Sequence, residues 1–418
     1  MSETQSPLVG LTAPGRPFAP FRFPAFRAIW TANLASNIGS MIQSVGAAWL
    51  MTDLTKSHQL IALVQASTTL PVMLLALLAG AIADNHDRRL VMLAAQVCML
   101  LASALLAALT WAGMIGPLSL LALTLTVGAG TALNGPAWQA SVRLQVGQED
   151  LPQAISINTI AFNLARSVGP AVGGLLISLA GPATAFALNS LSYIALIIVL
   201  LRWRPDMPPR QRQPMLASMI TGVKFCAGSS PVRRVLSRGF AFGFAGIAYL
   251  ALVPVLVREQ LKGSEVDFGL MLGAYGLGSI ITALWVAPAR HRWGSERLLV
   301  VAQTAFALAL FPIAGATSLP LAFACAMVAG GGWVATLSTL NVAMQLRSPE
   351  AILGRCLAIY QAVTFGGMAI GAYAVGLLSD IIGIASTLRI AAAALLVLVP
   401  VLRWLTPMPS RDEGRVIA

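Results

Sequence analysis

The chain is 418 residues long, 57% hydrophobic and only 10% charged, with a mean hydropathy of +0.79. A soluble globular chain carries about 25% charged residues, so the composition excludes a soluble domain and describes an integral membrane protein. A formal net charge of +12 would suit a nucleic-acid binder only if the basic residues shared one surface, and their distribution along the chain shows that they do not.

Apolar runs long enough to cross a hydrocarbon core of about 30 Å as helices recur along the sequence, and no β-barrel alternation competes with them. They predict an all-α protein of twelve spans at residues 26–52, 60–83, 90–113, 118–141, 152–179, 182–202, 234–257, 267–289, 297–315, 319–345, 353–379 and 384–405. Of the 27 Lys and Arg, Arg166 lies inside a span and Lys56, Arg258, Lys262 and Arg389 lie at one set of ends, leaving 22 at the ends shared with the termini. That bias is the positive-inside rule. It predicts a multi-pass inner (plasma) membrane protein with both termini cytoplasmic, and it removes nucleic acid as a partner.

Residues 1–23 read as a polar, proline-rich cytoplasmic tail without the layout of a cleavable signal. Span one carries Asn33, Asn37, Ser40 and Ser44 at helical spacing, a polar stripe suited to a cavity. The turn after span two, GAIADNHDRR, offers Gly80 for close helix contact and Asp84 to accept hydrogen bonds from a neighbouring helix N-terminus. Arg88 and Arg89 hold the inner surface by charge.

Span five contains LARSVGPAVGG. Ala165, Gly169 and Gly173 repeat every four residues and permit close helix approach; Pro170 removes a backbone donor and bends the helix; Gly174 adds a further small position. Arg166 falls fourteen residues into predicted span five, about 21 Å along a helix and near mid-membrane, where insertion costs roughly 2.5–3.5 kcal/mol. All 15 acidic residues lie in loops, tails or span ends, so no carboxylate shares its depth. Thr159, Asn163, Arg166 and Pro170 form one face. Two readings follow: Arg166 attracts an anionic part of a substrate, or it holds neighbouring helices through groups such as Asn33 and Asn134.

RWRPDMPPRQRQPM interrupts the apolar pattern after span six. It predicts a cytoplasmic linker, residues 205–231, between six-span halves at 24–204 and 232–406, with a tail at 407–418. The following LASMITGVKFC reads as a short interfacial helix or a loop. QEDLPQAISINTI before span five and SPEAILGRCLAIY before span eleven sit about 200 residues apart, which marks the halves as distant repeats. Such repeats place a transporter's site at mid-membrane between the halves. Phe240, Phe242, Phe244 and Tyr249 make span seven an aromatic counterpart to the amides of span one, and Asn341, Gln345, Tyr360 and Gln361 are further cavity candidates. Cys98, Cys226, Cys325 and Cys356 have no metal-ligand spacing and read as packing residues. His58, His86 and His291 lie in loops. No Gly-x-x-x-x-Gly-Lys-Ser/Thr run supports ATP drive, and no nucleophile, metal cluster or acid pair at one depth suggests an enzyme or a cofactor.

The turn after span two resembles the signature loop of the major facilitator superfamily, Gly-x-x-x-Asp-Arg-x-Gly-Arg-Arg. Gly80, Asp84, Arg88 and Arg89 match, while Asn85 and Asp87 replace the usual Arg and Gly. The Asp-x-x-Asp-Arg-Arg form, GPAWQASV before span five, and Gly354 with Arg355 resemble the drug:proton antiporter-like branch that includes the enterobactin exporter and macrolide-efflux proteins. GPAVGG resembles that superfamily's antiporter motif. The resemblance implies a twelve-helix major facilitator fold of two six-helix pseudo-repeats, exporting a small amphipathic compound by proton antiport, with membrane lipid as its surroundings and a monomer as its form; the alternatives are an uptake carrier or lipid mover of the same fold, or a transport-inactive sensor or scaffold. The polar faces of the spans put Asn33, Asn37, Asn163, Arg166, Asn341, Tyr360 and Gln361 at the substrate. Gly80, Asp84, Arg88, Arg89, Gly169, Pro170, Gly173, Gly174, Gly354 and Arg355 would then serve the conformational change.

Overall fold

The computed structural model describes residues 18–205 and 215–408. Among these the regular structure is helical. Spans one to six are Pro24–Leu54, His58–Asn85, Arg88–Trp111, Pro117–Ser141, Leu151–Ala180 and Pro182–Arg202. Span seven is assembled from Ser230–Gly246, Ala248–Val255 and a π-helical turn, Leu256–Gln260. Glu265–Ala314 runs as one hydrogen-bonded unit but is broken at Gly294 (φ 78°, ψ 160°), a left-handed conformation that glycine alone adopts at little cost. That break separates spans eight and nine. Spans ten to twelve are Leu319–Leu346, Leu353–Ile382 and Ile384–Leu405. Ten helices are long and apolar enough to cross a membrane when Glu265–Ala314 is taken as one and the more polar Pro24–Leu54 is left out; dividing the first and adding the second gives twelve.

Met215–Gly228 is a further short helix that packs on the first turns of span eleven, where a Cβ at Gly222 would meet Arg355 Cβ at 3.0 Å and Ile359 Cδ1 at 3.4 Å. The linker segment 206–214 and the tails, 1–17 and 409–418, lie outside the described residues. The repeat shows in the backbone as well as in the sequence. Gly181 (φ 79°) ends span five and Gly383 (φ 80°) ends span eleven, 202 positions apart (383 − 181).

With six spans per half, both described chain ends fall on one side of the bundle, called here the terminal end. Each half has its own interior. In the first, span six is tied to span one by Asn189 Nδ2 donating to Gln43 Oε1 (2.9 Å) and by the Ser40 and Tyr193 hydroxyls (3.3 Å). Gly169 and Gly173 lie against span one, where a Cβ on Gly173 would stand 3.1 Å from Ile42 Cα. In the second half, Phe242, Phe306, Trp333, Tyr275 and Tyr249 form a continuous ring cluster with centroids 5.2–6.4 Å apart. Aromatic contacts at such spacing contribute beyond their buried area. Phe242 and Tyr249 are thereby consumed as packing residues inside their own half rather than exposed as a wall. Phe240 and Phe244 stack on each other and stay partly exposed.

Two antiparallel seams join the halves. Spans five and eight meet where Gly174 faces Gly269 and Gly276 faces Ser167; a side chain at Gly174 would collide with the Glu265 carbonyl, and one at Gly276 would approach Ser167 Cα to 2.7 Å. Spans two and eleven meet at Gly376 against Gln59 and Ala62, and at Gly366 against Met73. All these contacts lie from mid-span toward the far end.

Candidate functional site

The far end is closed by polar contacts between the halves as well as by the glycine seams. Arg258 of the π-turn donates to Asp53 and, at 2.6 Å, to Thr52 Oγ1, and its guanidinium lies 5.5 Å over the Trp49 ring. Trp49 Nε1 donates to Glu265 at 3.0 Å. Asp380 of span eleven accepts from Ser57 Oγ (2.9 Å) and from the backbone amides of His58 (2.6 Å) and Gln59 (3.2 Å), so it caps the first turn of span two from the opposite half. Exposed ion pairs contribute only about 0–1 kcal/mol each. Such a set fastens without being irreversible.

At the terminal end spans two and eleven diverge around a cavity of about 1010 Å³, large enough for a drug-sized molecule. Its walls come from spans two, four, ten and eleven, with Met219 of the short helix at one edge. Three arginines reach it, Arg88, Arg143 and Arg355, together with the amides of Asn85, Gln139, Asn341, Gln345 and Gln361. None of the described lining side chains is a carboxylate. Arg143 is exposed and has no hydrogen-bond or ion-pair partner among the described residues. A cleft lined by one sign of charge raises the local concentration of the opposite sign, and guanidinium forks match carboxylate and phosphate groups.

The sequence-predicted residues divide between this cavity and other surroundings. Gly80, Arg88, Asn341, Gly354, Arg355 and Gln361 line it together. Gln345 donates to Asn341 at 2.7 Å, which fixes that amide pair in the wall. Gly80, expected at a close helix contact, faces open space, as does Gly354: a Cβ on either would meet nothing within 4 Å. Arg88 donates to the Ala140 carbonyl of span four (2.9 Å), and Arg89 to the Leu200 and Leu201 carbonyls of span six (2.6 and 2.9 Å). Both arginines therefore satisfy helix C-terminal carbonyls of their own half. Asp84 falls in the last turn of span two, and its side chain lies outside the described residues.

Tyr360 is buried, and its hydroxyl donates to the Leu337 carbonyl at 3.3 Å, so it packs span eleven on span ten and stands back from the cavity. Asn33, Asn37, Asn163 and Arg166 are half-buried and outside the cavity lining. Arg166 lies where the seam between spans five and eight opens; its guanidinium carbon is 6.0 Å from the Tyr275 ring centroid, across the halves. Among the described residues no hydrogen bond joins it to Asn33 or Asn134, and Asn134 instead accepts from Gln96 (3.4 Å). Gly169 and Gly173 pack on span one, and Pro170 and Gly174 on span eight.

Sequence reasoning missed Arg143 and Gln139. The repeat offset carried the signal: Gln139 and Arg143 precede Asn341 and Gln345 by 202 positions each (341 − 139 and 345 − 143), the offset that also separates the two span-ending glycines.

Comparisons with known proteins agree with this architecture. The family model described as "Transmembrane secretion effector" matches residues 15–417. The staphyloferrin A transporter of Staphylococcus aureus is 22% identical over 358 residues, covering 84% of this chain and 89% of that protein. The enterobactin exporter of Shigella boydii is 28% identical over 362 residues, covering 84% and 85%. Among solved structures, a nucleoside transporter superposes with a TM-score of 0.76 at 14% identity, covering 91% of this chain and 99% of that one. A D-xylose–proton symporter superposes at 0.73 and 14%, covering 94% and 99%. These relatives are transporters and not enzymes. A twelve-helix bundle of two repeated halves, matched over nearly its whole length by that family, places this chain in the major facilitator superfamily, among the transmembrane secretion effectors, and it resembles siderophore exporters.

Proposed function

We propose that this protein exports a small organic anion, of the siderophore or drug class, from the cytoplasm by alternating access with proton antiport. The observation that carries the reading is the cavity itself: about 1010 Å³, edged by three arginines and five amides, and confined to the terminal end while the far end is fastened. The basic residues collected at the terminal end support an orientation with that end, and both termini, in the cytoplasm of the inner membrane. The conformation is then inward-facing and ready to load. The similarity to a staphyloferrin A transporter and an enterobactin exporter supports export of a siderophore-like cargo.

In this cycle the cargo's anionic groups engage Arg143, Arg355 and Arg88 in turn, and Asn341 and Gln361 supply directional hydrogen bonds. Arg166, at the mouth of the seam, meets the cargo as it moves deeper, with Asn33, Asn37 and Asn163 alongside. The halves at 24–204 and 232–406 rock about the two glycine seams, with residues 205–231 as the linker and a monomer as the working unit. Closing the cytoplasmic end brings the open faces of Gly80 and Gly354 into contact, which explains small residues where nothing now touches them.

Sealed vesicles test the reading. With a pH gradient imposed, radiolabelled siderophores and anionic drugs should accumulate in inverted vesicles holding the protein and should leak away when the gradient is collapsed. Accumulation in right-side-out vesicles instead would establish uptake, and equal flux with and without the protein would refute transport.

A further inference from the structure

We propose that His58 is a proton-binding site facing the outer compartment, and that its occupancy fastens the outer gate. The inference rests on the alternating-access reading and on its orientation, and is independent of the cargo. His58 begins span two, and its side chain is 13% exposed. Its Nδ1 lies 2.8 Å from Ser379 Oγ of span eleven, and its Nε2 lies 3.2 Å from Glu259 Oε2 of the π-turn in span seven. The second carboxylate, Asp380, stands 3.9 Å from Nδ1 while accepting the backbone amide of the same histidine. One ring of the first half therefore sits between two elements of the second, against a carboxylate on each.

Protonation changes what that ring can do. A neutral imidazole donates from one nitrogen only, and an imidazolium donates from both. The charged ring can donate to Glu259 and to Ser379 together, and its charge faces two carboxylates. The neutral ring keeps one donor and gains nothing from Asp380.

The other charges at this end do not offset the effect. Arg258, beside Glu259, is held by Asp53; Glu265 is held by Trp49; Lys56 and Lys262 are exposed on flanking loops; Arg389 of span twelve lies 3.6 Å from the Cβ position of Gly315. Parting the halves removes Glu259, Ser379 and Asp380 from the ring at once. By linkage, a state that holds the proton better is the state that protons stabilise, and histidine changes charge between about pH 5 and 8. Acid outside therefore favours a closed outer gate, and this stability is lost as the pH rises. In a cycle driven by an acidic exterior, the outside proton thus promotes closure after the cargo has left.

The test follows the gate directly. Spin labels at Met114→Cys (loop after span three) and Leu321→Cys (start of span ten), with Cys98, Cys226, Cys325 and Cys356 replaced by Ala, report the outer-end distance in nanodiscs without cargo. Between pH 5.5 and 8 the ratio of open to closed distances should rise, up to about tenfold. His58→Gln should flatten that profile, Glu259→Gln should shrink it, and His58→Lys, with a fixed charge, should stay closed throughout. An unchanged pH profile in His58→Gln overturns this inference alone. A distance that never changes, with pH or with cargo, overturns alternating access as well.

Discussion

The two ends of the bundle are built from the same spans and could hardly differ more. At the far end, spans five and eight approach until Gly174 and Gly269 share a surface, and Arg258, Glu265 and Asp380 each have a partner across the halves. At the terminal end the glycines at Gly80, Gly135 and Gly354 touch nothing, and Arg143 has no partner among the described residues. Closure is thus made of small residues with weak ion pairs, and opening of unmatched positive charge. A mobile carrier needs both, because a cation such as Arg143 invites a ligand and weak pairs permit release.

Charge reversal at the open end should break this contrast most sharply. Arg143→Glu places a carboxylate in a cavity with none among its described lining residues, and cargo affinity should fall about 10- to 100-fold, or roughly 1.4–2.8 kcal/mol, as measured by equilibrium binding to purified protein; Arg143→Lys should keep most of it. Gly174→Val attacks the closed end. A side chain there would strike the Glu265 carbonyl, and overpacking costs about 1–3 kcal/mol, so vesicle transport should drop about tenfold while the outer-end spin-label distance shifts toward open.

Smaller effects sharpen the boundary between the ends. Arg166→Gln should lower transport of an acidic cargo by about three- to tenfold, with Arg166→Lys intermediate, because a cation over a ring contributes only about 0.5–2 kcal/mol. Equal rates in all three proteins would remove Arg166 from the pathway. Gly80→Ala should leave the melting temperature unchanged, since surface changes fall within about ±0.5 kcal/mol, yet slow transport; unchanged transport would show that the faces of Gly80 and Gly354 never meet.

The spans were legible in the sequence because each depends on local composition, and the helical spacing of GPAVGG picked out glycines that pack on spans one and eight. Span five illustrates the limit. Its helical register placed Thr159, Asn163, Arg166 and Pro170 on one face, but the register does not say which neighbour that face meets, and Pro170 turned out to pack on span eight. Tyr360 and Gln361 are adjacent, and only the crossing of spans ten and eleven decided that one would be buried and the other left in the wall. Arg143 was passed over as one more topogenic arginine, since the charge rule that explains its presence at that end says nothing about what it faces. His58 looked like a loop residue because its partners, Glu259 and Asp380, are 201 and 322 positions away (259 − 58 and 380 − 58).

Asp380 supplies the cap for a helix that belongs to the other half. Ser57, the local capping residue, reaches only the Leu60 amide, at 3.4 Å, so the amides of His58 and Gln59 depend on the opposite half for their acceptors. When the gate parts, the first turn of span two loses those acceptors and its amide hydrogens become available to solvent. Deuterium uptake in the peptide spanning that turn would then rise and fall with the transport cycle, giving the protein a built-in reporter of its own state that needs no label and no knowledge of the cargo.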